Sequence, residues 1–324
     1  MTTQSPSDTA DWVALGHCPV CAATQRTAFW PHAQLSMWRC GDCRLVYTDP
    51  QPRGLVARRY LEQYDLADHF GARSNRKAVL YERRLDLIGP VPATNHRLCD
   101  VGCGDGQFLE MARAKGWAPS GIELNPPAAQ RVRERDIEVF EGWFEELETL
   151  PWGAFDLVTS WDCLEHTAHP AEFATRIARL LRPGGTLALT TLNVEALVGR
   201  AFRGSWSMVV EDHYTYWNES SMRRLLADAG LTVDAYTTYG IGRDFVRLAD
   251  AVSSRIPRRN AAQAPTPEHP APERPPASSA GAAHSLWDAR RPVLAAERVV
   301  NRMLERSAGG VGCTVLARKL APPA

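Results

Sequence analysis

A glycine-rich turn between two partly apolar segments constrains the fold of this chain more than any other feature. Residues 97–112 read RLCDVGCGDGQFLEMA, with Gly102, Gly104 and Gly106 at alternate positions. Glycine takes positive φ at little cost and lets a backbone approach a ligand closely. A strand-like run before such a turn and a helix-like run after it are typical of nucleotide-binding α/β sheets. The dinucleotide pattern G-x-G-x-x-G would require glycine at position 107, where this chain has Gln107.

Strand-like and helix-like segments alternate from residue 97 to about residue 240, which predicts a parallel α/β sheet. The sequence RPGG ends a helix predicted over about 170–181, and Asn218 or Ser220 begins another helix that ends at Gly230. A late strand-like run is expected to return to the sheet. The predicted strands are 97–101, PSGIEL, IEVFEG, FDLVTSW, TLALTTLN, LTVDAYTTY and GCTVLARKL.

Composition divides the chain into five parts. Residues 1–48 contain paired cysteines, 49–96 form a helical connector, and 97–240 form the α/β region. We expect 241–310 to be a helical insertion and 311–324 to be the final strand and tail. Within the insertion, the Pro/Ala-rich segment 257–283 is expected to be disordered, because it has too few large apolar side chains to offset its ordering entropy. The connector's Arg58, Arg59, Arg83 and Arg84 are expected to form solvated helix faces, with binding of an acidic or phosphorylated substrate as the alternative.

Two C-x2-C pairs near the N-terminus are separated by 18 residues, a spacing that is typical of zinc sites. Four thiolates complete the tetrahedral coordination of Zn²⁺, so the expected role is structural. Unliganded thiols or a redox pair are the alternatives. The candidate metal ligands are Cys18, Cys21, Cys40 and Cys43. The other cysteines, expected to be packed thiols, are Cys99, Cys103, Cys163 and Cys313.

Charge and hydropathy exclude several classes of protein. Lys plus Arg and Asp plus Glu both number 37, so the net charge is zero, which argues against a nucleic-acid partner. Residues 98–200 carry 9 basic and 16 acidic side chains, an acidic excess that favours a cationic ligand. No run reaches the roughly 20 apolar residues of a membrane helix, and no signal peptide is visible. We therefore expect a cytoplasmic protein without a membrane partner; the sequence leaves the oligomeric state open.

Two acidic side chains refine the interpretation of the glycine turn. Asp100 ends the first predicted strand, and Glu123 ends the second. In doubly wound sheets, an acid at the end of the second strand binds ribose hydroxyls. Asp100 beside the turn would repel a pyrophosphate and attract an amino group or a sulfonium. The two acids together favour a cationic sulfonium nucleoside over NAD.

Four segments resemble the successive motifs of class I S-adenosylmethionine-dependent methyltransferases: LCDVGCGDGQFL, GIELN, FDLVTSWDCLEHTAHP and LLRPGGTLALTTLN. The resemblance covers about 97–240 and implies a Rossmann-like sheet, mostly parallel, with an antiparallel last strand. With the N-terminal cysteine pairs, the chain is similar to a bacterial group that modifies natural products, sugars and polysaccharides. That likeness implies S-adenosylmethionine as cofactor, structural Zn²⁺ and a small-molecule acceptor. The connector's RYLEQYD is similar to a helix placed against the cofactor, which makes Tyr60 and Tyr64 further candidates, although ordinary packing is the favoured alternative for both.

The same resemblance implies which residues contact the cofactor. The glycine turn and Asp100 would hold its methionine end, and Glu123 its ribose. Residues 142–144 would lie near the adenine, although the family more often has an Asp-Ala sequence there. The alternative to an adenine contact for Trp143 is ordinary packing in the core. The implied cofactor-binding residues are Asp100, Gly102, Cys103, Gly104, Glu123, Leu124, Gly142, Trp143, Phe144, Trp161 and Asp162.

Histidines after the fourth and fifth strands are candidate catalytic bases. Methyl transfer is an in-line displacement that needs positioning and, for a hydroxyl or an acidic carbon, a base. Histidine titrates near neutral pH. CLEHTAHP contributes Glu165 and His166, and EDHYTYW contributes His213. As alternatives, Glu165 and His166 would brace the following helix, and His213 would fix its own loop.

Other functions are compatible with these features. An RNA methyltransferase would recognise RNA through the N-terminal zinc ribbon that the two C-x2-C pairs predict for residues 1–48, and a non-catalytic protein would keep the fold to bind a cofactor or a partner. A dehydrogenase would bind NAD at the same turn. A gel shift that depends steeply on salt would indicate RNA binding, and a failure to bind S-adenosylmethionine would indicate a non-catalytic protein. Quenching of NADH fluorescence tests for a dehydrogenase. The sequence leaves the acceptor atom open among oxygen, nitrogen and carbon.

Overall fold

The computed structural model describes residues 12–52, 54–62, 74–91, 96–240 and 309–320. The strands are β1 Trp12–Val13, β2 Arg26–Ala28, β3 Met37–Cys40, β4 Val46–Thr48, β5 Gln51–Pro52, β6 Arg97–Val101, β7 Ala118–Glu123, β8 Glu138–Glu141, β9 Phe155–Trp161, β10 Leu181–Leu192, β11 Thr215–Tyr216, β12 Leu231–Tyr239 and β13 Gly312–Lys319. The α-helices are α1 Leu55–Glu62, α2 Ser74–Ile88, α3 Gln107–Ala114, α4 Pro126–Arg133, α5 Pro170–Leu180, α6 Leu197–Phe202 and α7 Glu219–Asp228.

A seven-stranded sheet forms the centre of the protein, in the order β12-β13-β10-β9-β6-β7-β8. The pairs from β10 through β9, β6 and β7 to β8 are parallel, whereas β13 runs antiparallel to both β10 and β12. Helices cover a parallel sheet on both faces, which is why β9 is almost continuously buried. The predicted fold class, mostly parallel with an antiparallel last strand, is confirmed.

Local sequence signals explain where several elements begin and end. Asn218, not Ser220, is the N-cap of α7: its side chain accepts a hydrogen bond from the Ser221 N–H, and the Ser221 hydroxyl accepts one from the Asn218 N–H. Gly230, with φ of +79°, follows the helix as predicted. The RPGG sequence lies inside β10, which shifts register against β9 between Leu181 and Thr186, so the fifth strand is longer than predicted.

A second, four-stranded sheet holds the cysteine pairs, in the order β11-β4-β3-β2. Strand β11 comes from the segment after β10, and Thr215 lies opposite Tyr47 of β4. The Thr48 N–H also donates to the Tyr214 carbonyl at 3.0 Å. The N-terminal unit is therefore joined by backbone hydrogen bonds to the segment that carries His213.

Some predicted features lie outside the described residues. These are Tyr64 and most of the predicted insertion, including the Pro/Ala-rich segment 257–283. In the part of the chain that the structure describes, no helix has the length and apolar character needed to span a bilayer.

Candidate functional site

A cavity of about 840 Å³ opens at the carboxyl ends of the central parallel strands. Ligands bind at this edge in open α/β sheets. All eleven residues predicted to bind the cofactor line it, and His166 lines it as well. Its carboxylates outnumber its cations: the acidic lining residues are Asp100, Glu123, Glu145, Asp162 and Asp212, and the cationic ones are Arg59, Lys77 and Arg84.

The glycine turn brings its backbone to the cavity wall and is fixed there by Glu123. One carboxylate oxygen of Glu123 accepts the Gly104 N–H at 2.7 Å, and the other accepts the Asn125 N–H at 2.8 Å. Gly102 has φ of +79°, and a Cβ at this position would lie 2.4 Å from the Cys163 sulfur. The turn therefore requires glycine at 102 for both its backbone conformation and its packing.

The two acids predicted to favour a cation are buried beside this turn. Asp100 is 1% exposed, and its Oδ1 accepts a hydrogen bond from the Thr159 hydroxyl at 2.7 Å. Burial raises the pKa of Asp100 to about 7, against the opposing effects of Thr159 and Arg84. Burial also raises the pKa of Glu123, while the N–H groups of Asn125 and Gly104 oppose that shift. A cationic ligand would stabilise the ionised form of both acids.

Arg84 is a site residue for which the sequence-based prediction is wrong. The sequence predicts a solvated helix face, but Arg84 is 6% exposed, because α2 turns it toward the sheet. Its guanidinium lies 2.7 Å from a carboxylate oxygen of Asp162, 3.1 Å from the Thr190 hydroxyl and 4.6 Å from the ring centre of Trp161. Burial opposes ionisation of Asp162, yet Arg84 and Thr190 lower the pKa of that carboxyl. Tyr81, Leu85 and Ile88 recur at helical spacing, and Arg84 lies on the face that they form, which is a sequence signal that could have indicated its burial.

Helix α1 also contributes to the wall of the cavity. Arg59 pairs with Glu211 at 2.5 Å, and the Tyr60 carbonyl accepts a hydrogen bond from the Asn125 side chain at 3.1 Å. Both Arg59 and Tyr60 line the cavity. The prediction that Arg59 lies on a solvated face is incomplete, since one side of α1 faces the cavity.

The three candidate catalytic residues lie together at the rim of the cavity, although only His166 lines it. The rings of His166 and His213 lie 4.8 Å apart between centres. His166 Nδ1 lies 2.7 Å from the Asp212 carbonyl, and Glu165 accepts a hydrogen bond from the Thr191 hydroxyl at 2.8 Å. Burial, together with the neighbouring His166, lowers the pKa of His213 to about 4, so this imidazole is neutral at pH 7. Burial raises the pKa of Glu165 to about 7.

The four paired cysteines converge on one point in the N-terminal unit. Their sulfur atoms all lie within 4.8 Å of one another, with Cys18–Cys43 and Cys21–Cys40 both at 3.5 Å. Four sulfurs bound tetrahedrally at 2.3 Å to zinc are about 3.8 Å apart. The Asp42 N–H also points at the Cys40 sulfur, at 3.4 Å. This geometry fits a zinc ion without rearrangement of the chain.

Comparison with known proteins agrees with the fold and the cavity. The family model described as a methyltransferase domain matches residues 72–236, which is half of the chain. The chain belongs to the methyltransferase-domain family. This match, with the observed strand order, confirms the resemblance to class I S-adenosylmethionine-dependent methyltransferases.

Individual relatives of this methyltransferase-domain protein are similar over part of its length. Ubiquinone biosynthesis O-methyltransferase of Dechloromonas aromatica is 35% identical over 122 residues, 34% of this chain and 50% of that protein. The enzyme of the same name from Caulobacter sp. is 28% identical over 179 residues, 51% of this chain and 70% of that protein. The chain thus spans about half the length of the first of these relatives. A solved phosphoethanolamine N-methyltransferase 2 of Haemonchus contortus has a TM-score of 0.49 and 18% identity, covering 86% of this chain and 63% of that one.

Proposed function

We propose that this protein transfers a methyl group from S-adenosylmethionine to a small-molecule acceptor, with an oxygen atom as the favoured acceptor. The observation that carries the proposal is the acidic cavity, which brings the glycine turn, Glu123 and His166 to one space. The relatives named as O-methyltransferases support oxygen as the acceptor atom. When bound, S-adenosylmethionine supplies a methyl carbon on a sulfonium, which a nucleophile displaces in line.

The residues of the cavity suit this cofactor in charge. Glu123 would accept hydrogen bonds from the ribose; in support, it lines the cavity and its carboxylate accepts the N–H groups of Gly104 and Asn125. Asp100 and Asp162 would face the methionine end and its positive charges. Trp143 and Phe144 would flank the adenine from the loop after β8. Arg84 would provide a cation for the methionine carboxylate.

On the acceptor side, His166, His213 and Glu165 form the proposed catalytic group. Each imidazole donates from Nδ1 to a backbone carbonyl, which leaves Nε2 with a lone pair. That lone pair can accept the proton of an acceptor hydroxyl, so that the oxygen attacks as it becomes an anion.

Zinc is proposed to have a structural role in the N-terminal unit, held by Cys18, Cys21, Cys40 and Cys43. Four thiolates leave no open coordination position, so the ion would stabilise this unit and take no part in methyl transfer. Because strand β11 pairs with β4, the ion would also fix the segment beside His213. The zinc site and the acceptor side of the cavity are thereby linked through one sheet.

Calorimetric titration of the purified protein tests the cofactor. We expect S-adenosylmethionine to bind and NADH not to bind. A hydrogen bond to a charged group contributes about 1.5–3 kcal/mol, so Glu123→Gln should weaken S-adenosylmethionine binding by about 10- to 150-fold. Glu141, opposite Glu123 at the end of the neighbouring strand, is the matched control, and Glu141→Gln should leave affinity unchanged. Tight binding of NADH with none of S-adenosylmethionine would overturn the proposal.

Transfer of isotopically labelled methyl from the cofactor to a panel of phenols, amines and acidic carbon compounds tests the acceptor. We expect labelled products to be methyl ethers. Methylated RNA as the product, with binding that weakens steeply with salt, would contradict a small-molecule acceptor.

A further inference from the structure

We propose that Glu165, His166 and His213 bind a divalent transition-metal ion at the acceptor end of the cavity. One ring nitrogen from each histidine and a carboxylate oxygen of Glu165 all lie within 4.8 Å of one another. Ligands of one ion at bond lengths of 2.0–2.2 Å are about 3.0–3.5 Å apart. Small side-chain rotations therefore suffice to bring the three donors onto a single ion.

Hydrogen bonding already sets both imidazoles in the form that a metal requires. His166 Nδ1 lies 2.7 Å from the Asp212 carbonyl, and His213 Nδ1 lies 2.7 Å from the Met208 carbonyl. A carbonyl only accepts, so each Nδ1 carries the proton and each Nε2 carries the lone pair. Among the residues that the structure describes, neither Nε2 has a hydrogen-bond partner. Metal-binding histidines are held by this arrangement, in which the second nitrogen donates to a carbonyl or carboxylate.

The carboxylate of Glu165 is oriented in the same way. It is 3% exposed and accepts a hydrogen bond from the Thr191 hydroxyl at 2.8 Å. The Glu165 carbonyl accepts the Tyr214 N–H at 2.7 Å, which ties this residue to the segment that carries His213. The three donors thus come from two segments whose backbones are hydrogen-bonded to each other before any ion binds.

The donor set indicates the kind of ion and its role. Two imidazoles and one carboxylate suit borderline ions such as Zn²⁺, Fe²⁺ or Co²⁺, in contrast to the four thiolates of the N-terminal unit. Three protein ligands leave coordination positions open, and His166 places these at the cavity wall. An oxygen of the acceptor can occupy one of them. This role beside the acceptor rests on the proposed function, but it is an alternative to the imidazole base described there: the Nε2 lone pairs would bind the cation and would not accept a proton.

Cobalt binding to the zinc-loaded, full-length protein tests the site without relying on activity. Zinc is expected to stay in the thiolate site, because cobalt binds more weakly than zinc in the general order of affinities. We expect one Co²⁺ per zinc-loaded chain by equilibrium dialysis with metal analysis, with a visible spectrum free of thiolate-to-cobalt bands. His213→Gln and Glu165→Gln should each weaken cobalt binding by about tenfold or more. The exposed His169 is the matched control, and His169→Gln should bind cobalt as the wild type does.

The outcomes separate this inference from the proposed function. Absence of the second metal at about millimolar cobalt, or cobalt binding that both variants retain, would overturn the metal site. If S-adenosylmethionine still binds in that case, the imidazoles act as bases and the proposed function stands. Failure of the wild type to bind S-adenosylmethionine would remove the proposed function whatever the cobalt result. Binding of S-adenosylmethionine by each variant also shows that it is folded; a variant that fails this check is replaced by Glu165→Asp or His213→Asn.

Discussion

Replacement of Gly102 by alanine is expected to destabilise the protein in two parts that can be measured separately. The first part is conformational: φ at this position is +79°, and a left-handed backbone costs a residue with a Cβ about 1–2 kcal/mol. The second part is steric, because the new Cβ would lie 2.4 Å from the Cys163 sulfur. Overpacking of this kind costs about 1–3 kcal/mol. We expect Gly102→Ala to lower the free energy of unfolding by about 2–5 kcal/mol.

The steric part depends on a single atom, so it can be removed by a second substitution. In Cys163→Ala the sulfur is gone, and the nearest remaining atom, the Cβ of residue 163, would lie 3.8 Å from the new methyl group. That is an ordinary van der Waals distance. In the Cys163→Ala background, Gly102→Ala should therefore lower the free energy of unfolding only by the conformational part, about 1–2 kcal/mol. The expected coupling free energy between the two positions is about 1–3 kcal/mol.

Urea unfolding of the wild type, the two single variants and the double variant measures this coupling. Gly153 provides the control, since it has φ of +70° and a Cβ added there would meet no atom within 4 Å. Gly153→Ala should cost about 1–2 kcal/mol and show no coupling to Cys163→Ala. A coupling free energy between positions 102 and 163 below about 0.5 kcal/mol would refute the packing that we describe for the cofactor turn.

Three further predictions concern charge and metal. Burial raises the pKa of Asp100 to about 7, and a cationic ligand favours the ionised form of this carboxyl. The affinity for S-adenosylmethionine should therefore fall as the pH drops from 8 to 6, by at most about tenfold per pH unit. Calorimetry should show a smaller fall in the Asp100→Asn variant. Arg84→Met breaks the ion pair with Asp162 and should lower the free energy of unfolding by about 1–3 kcal/mol. The loss is smaller than for a fully buried ion pair because Asp162 is half exposed. A urea titration that shows no change in stability would contradict this pairing. Because β11 pairs with β4 of the cysteine-containing sheet, removal of zinc should raise amide hydrogen exchange at residues 214–217 before exchange rises in β6. Equal protection of residues 214–217 with and without zinc would exclude a link between the zinc site and this segment.

Local sequence patterns were sufficient to predict the elements of the sheet. Glycines at 102, 104 and 106 and acids at the ends of two strands indicated the cofactor edge, because parallel strands bring their carboxyl ends to one side. The C-x2-C spacing indicated the four sulfur positions for the same local reason, since each pair lies within one tight turn. These features depend on residues close in sequence, where spacing and backbone geometry are directly related.

Contacts between distant segments were decided only by the tertiary structure. Arg84 is buried because α2 packs beside α3 and the guanidinium reaches Trp161 of β9 and Thr190 of β10; no pattern within the helix specifies those neighbours. Strand β11 joins the cysteine-containing sheet across more than 160 residues of sequence, and the Tyr214 N–H next to it bonds to the Glu165 carbonyl, which holds the segment of His213 beside His166. The sequence by itself determined the glycine turn, its acids and the thiolate set, because local geometry encodes them. The packing of elements that are remote in sequence decided which arginines face the cavity and which two histidines lie together. The free energy of such packing depends on the whole fold, so no local pattern encodes it.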